Sequence, residues 1–296
     1  MESNDRDERV EEIKGAMRSA DYLCDDAIAT ALFLADELGK PILAEGPAGV
    51  GKTDLAKAYA TSTGMPLIRL QCYEGLDEAK ALYEWNYKKQ LLRIQADTAG
   101  ECSWEDLEGD LFSEDFLLPR PLLKAITNDQ RVVLLVDEVD KSDVEFEAFL
   151  LEVLSDFQVS IPELGTVEAR RHPFVVLTSN RTRDLSEALR RRCLYLYIDF
   201  PEASRELEII RLRVPGLAEG LAEKVLAVVR YIRQMDLKKA PSISETLDWA
   251  TAVSVLGRDV IDQRLMSETL SLLVKEQKDL EKVAANLPAV ARQALL

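Results

Sequence analysis

The residues PILAEGPAGVGKT, Pro41 to Thr53, contain the pattern that decides the fold. A short apolar segment runs into GPAGVGKT (Gly46 to Thr53), which matches the spacing G-x-x-x-x-G-K-[ST]. The segment that follows, Lys52 to Gly64, has the character of a helix that ends at a glycine. A glycine-rich turn between a strand and a helix lets successive backbone N–H groups face a phosphate, beside the positive end of the helix. The stretch therefore predicts a strand–loop–helix unit that binds phosphate groups.

The residue types of this loop also predict which atoms would contact a nucleotide. Lys52 is expected to reach the β- and γ-phosphates, and the hydroxyl of Thr53 is expected to ligate Mg²⁺. The predicted nucleotide-binding residues are Gly46, Pro47, Ala48, Gly49, Val50, Gly51, Lys52, Thr53 and Asp54.

Polar residues follow two later apolar runs, at the points where each predicted strand ends. Asp137 and Glu138 end RVVLLVDE, and Asn180 ends FVVLTSN. Side chains at the carboxyl ends of parallel strands face the crevice where ligands of open α/β sheets bind. We therefore expect Asp137 to hold Mg²⁺ and Glu138 to polarise the water that attacks a phosphate, since phosphoryl transfer depends on positioning and charge stabilisation. Asn180 is expected either to orient that water or to contact the γ-phosphate.

The segment DKSD, Asp140 to Asp143, bears on the choice of base. It is similar to a guanine-reading N-K-x-D, but it lacks the asparagine and lies directly on the proposed metal motif. It is not expected to reach the base as well. The sequence therefore favours adenine, and we expect ATP and Mg²⁺ as cofactors.

Strands and helices alternate along the first two thirds of the chain. Apolar runs such as PLIRL, RVVLLVDE, FVVLTSN and CLYLYIDF read as strands, the last as a buried fifth strand, with segments of helical periodicity between them. This alternation predicts a three-layer α/β fold with a central parallel five-stranded sheet, followed by an all-helical lid. We predict two domains, 1–200 and 201–296, with an insertion at about 75–121 and a hairpin at about 157–170.

The composition limits the classes of partner. The chain has 296 residues and a formal net charge of −16, with 47% hydrophobic and 30% charged residues. The acidic balance disfavours nucleic acid, because phosphate binding draws on clustered Lys and Arg. The longest apolar runs are short and interrupted by charge, and the N-terminus lacks the apolar region of a signal peptide. We expect a cytoplasmic protein with no membrane insertion.

The cysteines and the single histidine do not suggest a metal centre. Cys24, Cys72, Cys102 and Cys193 are widely spaced with no C-x-x-C pair, and His172 lies in an unrelated segment. No zinc or haem set follows from the usual spacings. The expectation is buried or unreactive thiols in a reducing compartment, and a structural or solvent-exposed His172.

The order of these motifs, with an all-helical tail, resembles the AAA+ ATPases, and the resemblance covers nearly the whole chain. The hairpin before TSN and the insertion after the second strand look like the MoxR branch. Within it, QCYEGLDEAKALYEWNYKKQLLRIQ and APSISETLDWA look like the CoxD-like ATPases, which accompany carbon monoxide dehydrogenase-type molybdoenzymes. The resemblance implies a homo-oligomer, a hexameric ring, that remodels or matures a protein client and works with a von Willebrand A domain partner.

The resemblance also gives a role to the arginines of SEALRRRCLYLYIDF, Ser186 to Phe200. In AAA+ proteins an arginine just before an aromatic residue or cysteine, at the start of the fifth strand, is supplied to the ATP of the neighbouring subunit. Arg192 matches that position, and Arg191 is expected to assist it. Arg190 is expected to pair with acidic residues on the surface. The predicted catalytic residues are Lys52, Glu138, Asn180, Arg192 and Arg191.

Two segments leave alternatives open. Many AAA+ lids carry an arginine at a helix start that contacts ATP, but here the corresponding residue is Glu245. Either another arginine such as Arg264 substitutes, or the coupling of the lid to the γ-phosphate differs in this protein. The alternative is that SISETL is simply a helix start with a capping glutamate. The basic, aromatic segment WNYKKQLLRIQ is expected to be a helix. By resemblance it and the hairpin face the ring pore or a partner, and otherwise it is an ordinary amphipathic surface helix. The candidate residues of this segment are Trp85, Tyr87, Lys88, Lys89 and Arg93.

Two further functional classes compete with an ATP-hydrolysing remodeller. One is a nucleotide-binding switch or scaffold, in which ATP binding rather than hydrolysis controls partner docking. Substitution of Glu138 by glutamine, which should trap bound ATP, separates the two. The other, a DNA-directed motor, is disfavoured by the net charge of −16 and by the lack of an appended DNA-binding module.

Overall fold

The computed structural model describes residues 3–96, 109–162 and 164–294, which form two compact units. The first unit consists of Met1–Ala20, Cys24–Glu45 and Thr53–Tyr197, and the second of Asp21–Leu23, Gly46–Lys52 and Ile198–Leu296. The second unit therefore contains the phosphate-loop segment as well as the C-terminal region. The division into domains at 1–200 and 201–296 stays a prediction.

In the described part of the chain, the first unit is built on a sheet of five parallel strands. Their order across the sheet is β2, β5, β8, β1 and β9. The strands are β1 (Ile42–Glu45), β2 (Leu67–Gln71), β5 (Val133–Asp137), β8 (Phe174–Ser179) and β9 (Leu194–Tyr197). All residues of the three central strands are buried, whereas the two edge strands are partly exposed. Near-continuous apolar runs are typical of parallel strands covered on both faces. The predicted parallel five-stranded sheet is confirmed.

The first unit also contains helices, and one of them, Glu78–Ala81, is a helix that the periodicity did not predict. They are α1 (Ser3–Ser19), α2 (Asp26–Leu38), α3 (Lys52–Thr63), α4 (Glu78–Ala81), α5 (Tyr87–Ala96), α6 (Pro121–Thr127), α7 (Val144–Asp156) and α8 (Glu187–Arg192). The α2 helix illustrates how local sequence sets the ends. Asp25 accepts the N–H of Ile28 at 2.8 Å at its start, and Gly39 ends it in a left-handed conformation.

The insertion and the hairpin form two small antiparallel sheets. In the insertion, β3 (Tyr83–Trp85) pairs with β4 (Leu117–Pro119), and the hairpin consists of β6 (Gln158–Ile161) and β7 (Gly165–Glu168). The helix predicted to begin at Trp85 begins at Tyr87 instead. Trp85 ends β3 and is buried against Phe112 in an edge-to-face contact, because a large aromatic ring gains more from burial than from a surface position.

The fifth strand is shorter and more exposed than the run CLYLYIDF suggested. It covers only Leu194–Tyr197 at the edge of the sheet, so Tyr195 and Tyr197 are exposed while Leu196 is buried. An edge strand has one neighbour and alternates between covered and open positions. The expectation of a buried strand from Cys193 to Phe200 is therefore wrong in its extent and burial.

The described part of the second unit is helical beyond Ile198. Its helices are α9 (Ala203–Arg213), α10 (Leu221–Gln234), α11 (Ile243–Val255), α12 (Gln263–Leu273), α13 (Gln277–Ala285) and α14 (Leu287–Gln293). Trp249 lies fully buried in the core of this unit and donates its indole N–H to Thr269 Oγ1 at 2.8 Å. Asp279 accepts the backbone N–H groups of Lys238 and Lys239, each at 3.0 Å. Within the described residues, none of the helices combines the length and the apolar character that a membrane crossing needs.

Candidate functional site

Asp137, the last residue of β5, accepts hydrogen bonds from two threonine hydroxyls. Thr53 Oγ1, at the start of α3, donates to Asp137 Oδ1 at 2.9 Å, and Thr178 Oγ1, near the end of β8, donates to the same oxygen at 2.6 Å. The carboxylate is almost fully buried, so these donors replace the water it would otherwise bind. The structure thus brings together Thr53 and Asp137, the two residues predicted to hold Mg²⁺.

Glu138 follows Asp137 in a strained backbone conformation. Its φ of 57° and ψ of 49° place it in the left-handed region, which is uncommon for a residue with a side chain. The backbone N–H of Glu138 donates to Thr178 Oγ1 at 2.8 Å, so one hydroxyl contacts both acidic residues. This turn directs the Glu138 side chain away from the strand, while Asp137 stays buried in the sheet.

The Glu138 carboxylate has partners on three sides. Asn180 Nδ2 lies 3.3 Å from Oε1, whereas Gln71 Nε2 and Lys141 Nζ donate to Oε2 at 2.9 and 2.7 Å. The hydrogen bond to Glu138 raises the pKa of Lys141, so this ammonium stays charged throughout the neutral range. The predicted pair of Glu138 and Asn180 is therefore in contact.

Asp140 fixes the segment that carries Asn180. Its Oδ2 accepts the backbone N–H groups of Asn180 at 3.2 Å and Thr182 at 2.9 Å, and the Thr182 hydroxyl at 2.7 Å. Burial opposes ionisation of this carboxyl, but the hydrogen bonds from Thr182 and Asn180 outweigh it and lower the pKa of Asp140. Asp140, the first residue of DKSD, is thus occupied by hydrogen bonds to the segment that follows β8.

The phosphate-loop segment, Gly46–Lys52, has a backbone that only glycine adopts readily. Gly46, Gly49 and Gly51 have φ values of 154°, 74° and 95°. A Cβ added at Gly49 would lie 2.1 Å from Ser242 Oγ, within the same unit. The loop turns on itself, and Lys52 Nζ donates to the carbonyl oxygens of Gly46 at 2.8 Å and Pro47 at 2.6 Å.

The chemistry of Thr53 and Asp137 fits Mg²⁺. Hydroxyl and carboxylate oxygens are the ligands that this hard cation prefers, and it is usually held by one or two protein groups together with substrate phosphates. Among the described residues, no group of three or more His, Cys, Asp or Glu side chains is placed to hold a metal ion. The donors present suit a metal that arrives with a nucleotide.

The three consecutive arginines have three different environments. Arg190 Nη2 contacts the fully buried Glu45 Oε1 at 3.0 Å, so the expectation that Arg190 pairs on the surface is wrong. Glu45 ends β1, and its burial makes a charged partner necessary. Arg191 pairs with Glu187 one turn earlier on α8, at 2.5 Å with both side chains exposed. Arg192 is exposed, and its guanidinium makes no hydrogen bond or ion pair with any residue that the structure describes.

The helix that contains Glu245 starts with a capping box. Glu245 Oε2 accepts the backbone N–H of Ser242 at 2.9 Å, and the hydroxyl of Ser242 also contacts this carboxylate. This supports the interpretation of Glu245 as a capping residue. Arg264 pairs with Glu268 at 2.9 Å on an exposed face of α12, and its substitution for a lid arginine stays a prediction.

Two of the described cysteines, Cys72 and Cys193, are buried, and Cys24 is partly buried. Burial raises the pKa of Cys72 to about 12, with a contribution from nearby acidic groups, and burial alone raises the pKa of Cys193 to about 12. Cys102 lies outside the described residues. His172 is exposed and packs against the ring of Phe157.

Sequence reasoning missed several residues that contact the acidic pair. Thr178 belongs to the TSN motif, in which the sequence predicts a role for Asn180 alone. Arg69 and Gln71 of β2 both lie beside the end of β5, where Arg69 contacts Asp137 and Gln71 contacts Glu138. The signal was present in LIRLQ, because residues two apart in a strand share one face and these two are polar.

The fold and the site together define the class of nucleotide-hydrolysing α/β proteins. Its parts here are a phosphate loop after β1, acidic residues at the end of β5 and a polar amide after β8. The model of the ATPase family associated with various cellular activities (AAA) matches residues 42–201, and the chain belongs to this family. It is therefore an ATPase, and the cofactors of its family are ATP and Mg²⁺.

Individual relatives have low identity to the chain. It is 23% identical to the gas vesicle ATPase GvpN1 of Halobacterium salinarum over 67% of this chain and 58% of GvpN1. It is 24% identical to the protein NorQ of Paracoccus denitrificans over 69% of this chain and 68% of NorQ. At this identity the two relatives do not show a branch within the family, so the MoxR type and its CoxD-like branch stay predictions.

One solved structure extends the comparison. The chain is similar to the Thermotoga maritima RuvB Holliday junction branch migration motor, with 20% sequence identity and a TM-score of 0.46. The similarity covers 83% of this chain and 67% of RuvB.

Proposed function

We propose that this ATPase hydrolyses ATP by in-line attack of water on the γ-phosphate and uses the turnover to remodel or mature a protein client. The observation that carries the proposal is the hydrogen-bonded row at the carboxyl ends of β5 and β8. There Thr53, Asp137 and Thr178 are joined through hydroxyl groups, and Glu138 contacts Asn180. Phosphoryl transfer needs such fixed positioning and charge stabilisation.

Each residue of the row has a role that follows from its chemistry. Thr53 and Asp137 would hold Mg²⁺, which neutralises charge on the β- and γ-phosphates when bound. Lys52 would add a second positive charge there. Glu138 would accept a hydrogen bond from the attacking water, and Asn180 would orient that carboxylate and the water together. The loop residues from Gly46 to Asp54 would contact the phosphates through their backbone.

The proposed arginine finger is Arg192. It is exposed, at the end of α8, and it has no partner among the described residues that would compete for its guanidinium. Arg191 has Glu187 as a partner, so its assisting role requires that this exposed pair opens, at a cost of about 1 kcal/mol or less. A finger supplied by the next subunit implies an oligomer, for which we propose a hexameric ring.

The client and partner rest on resemblance. The CoxD-like character of the insertion and of APSISETLDWA supports a molybdenum hydroxylase of the carbon monoxide dehydrogenase type as client, with a von Willebrand A domain protein as partner. The net charge of −16 supports protein rather than nucleic acid partners, in the cytoplasm. Exposed Tyr87, Leu91 and Leu92 on α5 are apolar side chains that such a partner or the pore would contact.

A subunit-mixing experiment tests the finger and the ring together. Arg192→Ala should bind ATP normally but lose about 10³-fold or more in turnover, as expected for a missing finger. Lys52→Ala should lose ATP binding while keeping Arg192. A one-to-one mixture of the two inactive proteins should recover activity at about a quarter of its sites, because half of the loops are intact and half of their neighbours supply arginine.

The matched control is Arg211→Ala, which removes another exposed arginine, one that pairs with the exposed Glu223. Its turnover should equal that of the wild type. Normal hydrolysis by Arg192→Ala would show that the finger is assigned to the wrong residue. An inactive mixture, with subunit exchange verified by tagged copies, would contradict supply of the arginine in trans.

A further inference from the structure

Arg69 contacts the carboxylate that the proposed function assigns to Mg²⁺. Its Nε lies 3.0 Å and its Nη2 2.5 Å from Asp137 Oδ2, and Nη2 also contacts Gln71 Oε1. Two N–H groups of one guanidinium therefore point at a single carboxylate oxygen. A carboxylate oxygen has about two lone-pair directions, so this oxygen has no further favourable position for a hydrogen bond.

The two oxygens of Asp137 have different kinds of partner. Oδ1 accepts only neutral hydroxyl groups, from Thr53 and Thr178. Thr53 uses its hydroxyl proton for the hydrogen bond to Oδ1, and the lone pairs of the hydroxyl oxygen stay available. The same hydroxyl could therefore also ligate a metal. Oδ2 instead contacts a full positive charge.

A guanidinium and a divalent cation repel each other, and both are attracted by the same carboxylate. We propose that Arg69 is a displaceable counter-cation of the metal site: it neutralises Asp137 in the metal-free protein, and it must leave Oδ2 when a Mg²⁺–nucleotide binds. The inference rests on the proposed assignment of Asp137 to Mg²⁺. It gives Arg69 a positioning role, because Arg69 would set the Mg²⁺ concentration at which the site fills.

The placement of Arg69 makes this exchange physically possible. Asp137 is buried with 2% of its side chain exposed, so it needs a positive partner or a set of hydrogen bonds in every state. Arg69 has 48% of its side chain exposed and lies on β2 at the edge of the sheet. It can therefore move into water without leaving a buried charge of its own, and its side chain is long enough to do so by rotamer changes alone.

The size of the effect follows from the same exposure. A hydrogen bond to a charged group contributes most when it is well shielded from water, and an exposed ion pair contributes little. A pair with one buried and one half-exposed partner lies between these limits. Removal of Arg69 should therefore strengthen metal binding about tenfold, which is about 1.4 kcal/mol.

The experiment measures coupling between metal and nucleotide rather than turnover. The dissociation constant of a fluorescent ADP is measured once with EDTA and once with excess Mg²⁺. The EDTA value divided by the Mg²⁺ value is the ratio that reports how strongly the metal favours the nucleotide. The variant is Arg69→Gln, which keeps a polar side chain but removes the charge. Chelation of Mg²⁺ by free ADP is identical for all proteins, so it cancels when ratios are compared.

Arg120→Gln is the matched control. Arg120 also contacts a single carboxylate, that of Glu84, and it has 46% of its side chain exposed, close to the value for Arg69. The control should keep the wild-type ratio. Arg69→Lys, which retains a charge but loses the two-pronged contact, should give a ratio between those of the wild type and Arg69→Gln, and it serves if the glutamine variant does not fold.

The outcomes separate this inference from the proposed function. A ratio about tenfold above the wild-type value in Arg69→Gln is the expected result. An unchanged or smaller ratio, with or without a lower unfolding temperature, would show that Arg69 is a structural partner of Asp137 or an aid to the metal, and would overturn the inference. A wild-type protein whose ADP affinity ignores Mg²⁺ would instead overturn the assignment of Asp137 to the metal, and the inference with it.

Discussion

Replacing Thr178 by valine removes a hydroxyl that joins the two acidic residues at the end of β5, while the volume and shape of the side chain stay nearly the same. This hydroxyl donates to Asp137 Oδ1 at 2.6 Å and accepts the backbone N–H of Glu138 at 2.8 Å. Thr178 has only 1% of its surface exposed, so water cannot take over either contact without a structural change. Both acidic residues should therefore be affected by one substitution.

The expected loss of stability is the sum of two contributions. A hydrogen bond to a charged group contributes about 1.5–3 kcal/mol, and an N–H left without a partner costs about 1–3 kcal/mol when buried. Because Asp137 keeps two other partners and Glu138 is partly exposed, we expect a total near the lower limits, about 3 kcal/mol. For a unit of this size that corresponds to a fall of roughly 6–12 °C in the unfolding midpoint of the α/β unit.

Differential scanning calorimetry and steady-state ATPase kinetics are the assays. The fall in kcat should exceed any rise in KM, because the left-handed conformation that aims Glu138 loses its hydrogen bond. Thr178→Ser restores the hydroxyl and should recover most of both effects. Thr61→Val is the control, since Thr61 is exposed on α3 and bonds only to a helix carbonyl, and it should change stability by about 0.5 kcal/mol or less. Equal losses in Thr178→Ser and Thr178→Val would refute the reasoning.

Three further outcomes are expected. Trp249→Ala should destabilise the helical unit by about 3–5 kcal/mol, because it opens a cavity and leaves Thr269 without its donor; calorimetry showing a smaller change in that unit than in the α/β unit would contradict this. Backbone hydrogen bonds lower the pKa of Asp279 in the folded protein. The ionised carboxylate therefore stabilises the fold above the pKa that an aspartate has in the unfolded chain, about 4, and this stabilisation is lost as the pH falls through the folded-state pKa. Asp279→Asn should flatten the acid side of a curve of unfolding free energy against pH. Cys72 and Cys193, with pKa values raised to about 12, should resist iodoacetamide at pH 8 until the protein unfolds, and rapid labelling by mass spectrometry would show that their burial is wrong.

The sheet and the phosphate loop could be predicted because their signals are local. A strand, a glycine-rich turn and a helix are adjacent in the sequence, and a buried parallel strand is apolar along its whole length. The capping box of Ser242 and Glu245 is local for the same reason. Such features depend on backbone conformations and burial that a few neighbouring residues decide.

The partners of charged groups could not be predicted, because they depend on which strands become neighbours. Arg190 is 145 positions from Glu45, and Arg69 is 68 positions from Asp137. Both pairs exist only because the sheet order places β2 beside β5 and β1 beside β9. The exposure of Tyr195 has the same origin, since the composition of a strand does not reveal whether it will be at an edge.

The contact between Arg190 and Glu45 has a consequence for how mutational scans of this protein are interpreted. α8 has six residues, about 9 Å of helix, which is too short to keep its direction by itself. Its direction is set by the burial of Leu189 and by the anchor at the end of β1. The position of Arg192, the proposed arginine finger, therefore depends on a carboxylate at the end of β1. If a Glu45 variant is inactive, the cause to consider first is a displaced α8, since every proposed catalytic residue would still be present.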